Sequence, residues 1–378
     1  MSAHTNTNGG SKSLMASGRL KFIDGLRGIA VLMVTFFHFF DNSPYKETFQ
    51  QFLPDPVCWV LGHGWLGVYI FFVISGFVIA HAISGDRITP RYAAVFVIRR
   101  SIRLDPPYWV TIASWVGLTW LSNLLLPTRS LPYPSLEQLV SHLFYLQNIL
   151  GYRDIVPIFW TLCLELQFYT VYILLVVLMC WGGTDQEGLR AQGFRVIGAS
   201  LFYGITILSW LSAVFHILPG SITSVWFIGA WFNFGLGVLL AKAAEDRTRS
   251  LPVYGMMALL VFSLIYKWTN GTVLILATAT SIFVAARRGA LGHWLNGRFI
   301  QYCGRLSYSI YLTHFVFGLR AINIAYRMLG DSVPACLLAT SIGLAITFAS
   351  AHLMNRFIEE PSIRFAKRVR GYLMPARV

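Results

Sequence analysis

Apolar segments of about 16–25 residues recur along this chain, the length a helix needs to cross the hydrocarbon core of a bilayer. Ten can be placed, at 27–44, 63–84, 106–126, 158–181, 196–216, 222–242, 252–267, 271–287, 305–327 and 333–357. Inside hydrocarbon every backbone N–H and C=O must be satisfied within the structure itself, which leaves helices as the natural solution for runs of this length. The expected fold class is therefore all-α, a polytopic membrane protein of about ten transmembrane helices. Composition agrees: 56% of the residues are hydrophobic and only 12% are charged. A soluble domain carries about twice that charge.

The charges that exist lie where topology puts them. If both termini are cytoplasmic, the loops "SGDRITPRYAAVFVIRRSIRL", "WGGTDQEGLRAQGFR", "AEDRTRS" and "RRGALGHWLNGRFIQYCGR" all fall on the cytoplasmic side. Of the 30 Lys and Arg, six are then external (Lys46, Arg129, Arg153, Lys267, Arg320 and Arg327) and the other 24 internal. This is the positive-inside pattern. It accounts for the net charge of +14 without nucleic acid. Residues 1–18 are polar and read as a disordered cytoplasmic tail, with no signal peptide. Residues 363–378 read as a basic cytoplasmic tail. The external stretch 127–157, with its prolines and aromatics, reads as a folded re-entrant cap. The five cysteines are scattered, with no CxxC pair, so neither a disulfide framework nor a metal site is expected.

Polar groups inside the apolar segments are candidates for function, because they are costly there. In "LRGIAVLMVTFFHFF", Arg27 and His38 are eleven residues apart. Eleven steps of about 100° bring the second side chain to within about 20° of the first, some 16 Å further along the axis. Asp24 lies near the same stripe. "WTLCLELQFY" places Glu165 in the fourth segment, with Thr161 and Tyr169 on its face. A carboxylate bonded to Trp or Tyr for structure alone is the competing reading. "GVYIFFVISGF" carries Ser75 beside Gly76, a small pair suited to helix packing. "LSYSIYLTHFVF" carries Tyr308, Tyr311 and His314, of which the last two can face one cavity. "RRSIRLDPPYW" clusters Arg99, Arg100 and Arg103 just before two prolines, at the cytoplasmic rim, where guanidinium groups suit phosphates. There is no GxSxG, Walker loop, HExxH or GxGxxG.

Taken in order, "RLKFIDGLRGIAVLMVTFFH", "GVYIFFVISGF", "RRSIRLDPPYW", "WTLCLELQFY", "GRLSYSIYLTH" and "FIEEP" resemble the acyltransferase family 3 membrane proteins over about residues 19–362. The resemblance implies transfer of an acyl group, usually acetyl from acetyl-CoA, to a hydroxyl. Family acceptors include lipopolysaccharide O-antigen, exopolysaccharide, peptidoglycan, Nod factors and macrolides. It carries onto Arg27 and His38 as the essential pair, onto Arg99, Arg100 and Arg103 as the basic motif, and onto Glu165. Relatives often have Asp after "GV", where this chain has Tyr69. Many also carry an extra periplasmic domain. This chain ends 17 residues after Pro361 and looks like the stand-alone form.

The expectation is a multi-pass enzyme of the bacterial cytoplasmic membrane with no metal, whose partners are acyl-CoA, membrane lipid and a sugar or polysaccharide acceptor. His38 is the expected general base, and Glu165 orients it or binds the acceptor. Arg27, Asp24 and the three arginines hold the CoA. Tyr308, Tyr311, His314 and Ser75 lie on the acceptor side. An acyl-histidine intermediate is the less economical route. Two other classes stay open at this point: a proton-coupled exporter of a sugar or drug, and a structural partner of a polysaccharide synthase.

Overall fold

The computed structural model describes residues 20–83, 88–125, 131–181 and 189–373. The polar tail 1–18 lies outside them. Every regular element among the described residues is helical. In chain order they are α1 (Lys21–Asp41), α2 (Lys46–Phe52), α3 (Asp55–Gly62), α4 (Gly67–Ala82), α5 (Pro90–Leu125), α6 (Leu136–Leu143), α7 (Trp160–Met179), α8 (Leu189–Phe215) and α9 (Gly220–Thr223). Then follow α10 (Ile228–Glu245), α11 (Leu251–Tyr266), α12 (Asn270–Arg287), α13 (Arg298–Arg305), α14 (Ser307–Thr313), α15 (Arg320–Leu329), α16 (Val333–Met354) and α17 (Glu360–Leu373). Each of the ten apolar segments falls on a helix. Among the described residues, seven helical stretches are long and apolar enough to cross a membrane by length and composition: Lys21–Asp41, Asp55–Ala82, Trp160–Met179, Leu189–Phe215, Arg247–Tyr266, Asn270–Arg287 and Val333–Leu373. The protein is a multi-pass membrane protein.

The centre of the bundle is the α4–α10 pair. Gly76 lies against the Phe234 carbonyl and Gly237 against the Val73 carbonyl, so closely that a Cβ at either position would collide with backbone. This is the close approach that small residues permit between helices in lipid, where packing must supply what hydrophobic burial cannot. Ser75 thus sits beside a packing glycine and is itself turned to another use. A similar approach joins α1 to α13, where Gly304 meets the Asp24 carbonyl and Gly28 the Ile300 carbonyl.

Two boundaries differ from the sequence reading. The prolines Pro106 and Pro107 do not begin a helix; they lie inside the 36-residue α5. Membrane helices tolerate interior proline because neighbouring groups satisfy the released carbonyls. Beside the prolines, Tyr308 Oη donates to the Leu104 carbonyl (2.8 Å) and ties α14 to α5, and Thr111 Oγ1 donates to the Pro107 carbonyl within the same helix (2.8 Å). Arg100 therefore lies ten residues, about 15 Å, into the helix and not ahead of its first turn. The second difference is the C-terminal stretch. Through Leu373 it is the helix α17, laid against α5 by bonds from Arg99 Nε to the Ala366 carbonyl (3.1 Å) and from Arg91 Nη2 to that of Leu373 (3.1 Å).

Residues 131–157 form a compact cap. Ser135 Oγ caps α6 by accepting from Gln138 N. His142 is fully buried: Nδ1 donates to the Gln138 carbonyl (2.7 Å) and Nε2 accepts from Ile155 N (2.9 Å). Burial holds its imidazole below the usual range, which suits the neutral tautomer these bonds demand.

Candidate active site

Helices α1, α4, α7 and α14 converge on a chamber of about 60 Å³. That is room for roughly two waters or one small acyl group. Its wall includes Arg27, Ser75, Thr161, Glu165, Tyr308 and Tyr311, five of them sequence candidates. Glu165 is the hub. Ser75 Oγ donates to Glu165 Oε1 (2.5 Å), and the Tyr169 hydroxyl lies 3.3 Å from the same Ser75 oxygen. Arg100 Nη2 stands 3.6 Å from Glu165 Oε1, with its guanidinium 3.8 Å from the centre of the Tyr169 ring. A planar guanidinium can stack on an aromatic face and pair with a carboxylate together, which lysine cannot reproduce. Thr161 and Tyr169 share the Glu165 face, as the spacing of four requires. Glu165 and Tyr308 also line a second, adjoining cavity that carries Arg100, Asp105 and Tyr145.

The basic groups behave unequally. Arg100 and Arg103, three residues apart, share a face and turn inward, and Arg103 is within electrostatic reach of Arg27, Arg100, Glu165 and Glu359. The Nε atoms of Arg27, Arg100 and Arg103 are each buried without a hydrogen-bond partner. Burying a charged donor unpaired is costly, so three such atoms in one region mark it as built for an acceptor-rich anion. Arg99, one residue and about 100° from Arg100, is drawn to α17 instead. Asp24 stands in the first turn of α1, one turn before Arg27, and is not part of the chamber wall.

His38 and His314 form a pair. His38 Nδ1 is 3.0 Å from His314 Nε2 and 2.9 Å from the Val34 carbonyl, and His314 Nδ1 is 3.1 Å from the Ile310 carbonyl. A carbonyl only accepts, so the His314 proton is on Nδ1 and its Nε2 is a lone pair. His38 Nδ1–H is then shared between Val34 and His314. In the neutral pair this network assigns the His38 lone pair to Nε2, the atom a general base uses. His314 opens a π-helical turn, His314–Leu319, a feature frequent at functional positions. Tyr311 connects pair and chamber: it lines the chamber, donates to the Ile158 carbonyl (2.8 Å), lies 2.7 Å from Thr161 Oγ1, and has its ring 5.8 Å from that of His314.

One buried group was missed in the sequence. Glu359, 3% exposed, ends a second π-helical turn (Asn355–Glu359) and accepts from Ser309 Oγ (2.6 Å) and Asn355 Nδ2 (3.0 Å). Its signal was a carboxylate at the end of an apolar run, in "FIEEP". Tyr69 stands outside the chamber, packed by its ring against Gly271 on α12 and edge-on to Trp65.

A helical membrane protein with a guanidinium–carboxylate chamber and a histidine pair beside it is the class that fold and site define. The chain belongs to the acyltransferase domain family, which it matches over residues 20–355. It is similar to "Peptidoglycan O-acetyltransferase OatA" of Listeria monocytogenes, 25% identical over 373 residues, covering 90% of this chain and 55% of the relative. It is similar also to "Putative peptidoglycan O-acetyltransferase YrhL" of Bacillus subtilis, 26% identical over 379 residues, covering 90% and 54%. The chain spans about half the length of the curated relatives it matches. No solved structure matches it.

Proposed function

We propose that this protein is a membrane-bound O-acyltransferase that takes an acyl group, acetyl, from acyl-CoA on the cytoplasmic side. The acceptor is a hydroxyl of a cell-surface polysaccharide or its lipid-linked precursor, and the relatives' names point to a peptidoglycan-type glycan. The protein crosses the bacterial cytoplasmic membrane ten times with both termini inside. The observation that carries the reading is the set of three buried, unpartnered guanidinium Nε atoms on Arg27, Arg100 and Arg103. They match the phosphates of CoA, whose oxygens offer the acceptors these donors lack.

The pantetheine arm runs from these arginines toward the histidine pair. The axial separation of Arg27 and His38, about 16 Å, is of the order of that arm extended. His38 Nε2 accepts the hydroxyl proton as the acceptor oxygen attacks the thioester carbonyl. The C–S bond then breaks and the CoA sulfur leaves with that proton. The Val34 carbonyl and His314 Nε2 both accept from His38 Nδ1–H, which leaves the His38 lone pair on Nε2. Glu165, held by Ser75 and Arg100, is fixed in place to bind the acceptor. The test is transfer of labelled acetyl from acetyl-CoA to peptidoglycan fragments by purified, monodisperse protein. His38→Gln should lose about 10²- to 10⁴-fold in rate. Wild-type turnover in that variant, or no transfer by the parent protein, contradicts the reading.

A further inference from the structure

At the end of the bundle that carries α2, α3 and the cap, two large recesses meet. One, of about 620 Å³, lies among α4, α8, α10, α11 and α12; the other, of about 790 Å³, lies among α4, α7, α10 and the cap. Tyr69, Gly229 and Asn233 line both, so they are two limbs of one cleft. Phe72 lines the second limb and also the Glu165 chamber, so the cleft adjoins the chemistry. Each limb alone is as large as a ligand pocket. The chamber is tenfold smaller.

The lining has a particular chemistry. Trp65 and Trp268 stand on the first limb, and Tyr152 and Trp160 on the second. Trp268 is 69% exposed, so its ring is open to a ligand in the first limb. Between these rings are planar amides. Asn233 interrupts the apolar run "IGAWFNFGLG" of α10 and makes no side-chain hydrogen bond among the described residues. Asn148 Oδ1 on the second limb is buried and unpartnered. Flat rings for the C–H face of a sugar, and free amides that donate and accept for its hydroxyl and acetamido groups, are what a glycan of N-acetylated hexosamines needs.

We propose that this cleft binds the acceptor glycan as a segment of two or more N-acetylhexosamine units that straddles Tyr69 and Asn233. Trp268 and Tyr152 hold the sugars on either side of the junction. The unit at the junction presents its hydroxyl past Phe72 toward the chamber, and this last point alone rests on the acyl-transfer reading. Tyr69, where relatives often carry Asp, is then a wall of the sugar site and not a missing acid.

The test is equilibrium binding of N-acetylglucosamine and of its β-1,4-linked tetramer to the purified full chain, with acetyl-CoA binding measured beside it. The tetramer should bind at least tenfold more tightly than the monomer. Trp268→Ala and Tyr152→Ala, each changing an accessible side chain, should each weaken the tetramer by about three- to tenfold, the worth of one aromatic contact. Acetyl-CoA binding should be unchanged in both, which also shows that they fold. Equal affinity for monomer and tetramer, or a tetramer indifferent to both variants, overturns the proposal. So does a cleft that takes a lipid chain and no sugar. If acetyl is transferred but the tetramer has no advantage, this proposal fails alone; if the tetramer binds as described but no acetyl moves, the acyl-transfer reading fails and the glycan site stands.

Discussion

Replacing His314 tests how the histidine pair works. His38 Nδ1–H has two acceptors, the Val34 carbonyl at 2.9 Å and His314 Nε2 at 3.0 Å. His314→Phe keeps a flat ring in the same buried place and removes the second acceptor. Val34 still holds the tautomer, so His38 keeps its lone pair on Nε2 and the variant is not dead. What is lost appears when His38 becomes an imidazolium. A hydrogen bond from a charged donor contributes about 1.5–3 kcal/mol, against about 0.5–1.5 for a neutral one. The difference, about 1–1.5 kcal/mol, exists only as the proton arrives, so it is a loss in the transition state. It corresponds to about five- to tenfold in kcat, with KM for acetyl-CoA unmoved. His314→Asn, whose side-chain oxygen can accept from His38, should recover part of that loss. The assay is steady-state acetyl transfer by purified variants. A loss as large as that of His38→Gln would mean that His314 itself moves the proton. An unchanged kcat would mean that the pair is packing and nothing more.

Other groups give independent tests. Arg100→Gln leaves Glu165 without its stacked cation and should destabilise the protein by about 3 kcal/mol, as breaking a largely buried pair does. Adding Glu165→Gln should restore at least 1 kcal/mol of this in denaturant unfolding in mixed micelles, and strict additivity would show that the two do not interact. In the cap, burial raises the Asp154 carboxyl to about 6 against the opposing bond from Gln147 Nε2. A raised carboxyl favours the folded state when protonated. Its contribution is therefore present below about pH 4 and lost as pH rises to about 6, by at most about 3 kcal/mol. The stability difference between the parent protein and Asp154→Asn should follow that curve, and a difference independent of pH would refute the assignment.

How much of this was legible depended on range. Periodicity along one helix is local, so the shared face of Arg27 and His38 and that of Thr161, Glu165 and Tyr169 could be read directly. The partner of His38 could not, because His314 is 276 positions away and nothing local selects it. His314 was therefore placed with Tyr311 on the acceptor side, and its contact with His38 appears only in the fold. Ser75 and Glu165 were each singled out, but their hydrogen bond depends on how α4 and α7 pack. The start of α5 was read too late because paired prolines imitate a helix start. Once α5 runs through them from Pro90, helical phase alone sends Arg100 and Arg103 inward and Arg99 to α17. Glu359 went unnoticed because its partner Ser309 lies on α14, 50 positions away, and only Asn355 shares its π-helical turn.

The central claim is that acyl-CoA enters with its phosphates on the buried arginines. The most direct measurement is a cryo-electron-microscopy map of the protein with a non-hydrolysable acetyl-CoA analogue. The account predicts phosphate density within hydrogen-bond distance of at least two of Arg27, Arg100 and Arg103, with the acyl end directed toward the histidine pair. An analogue seated in the outer cleft, or bound with its phosphates away from all three arginines, would contradict it.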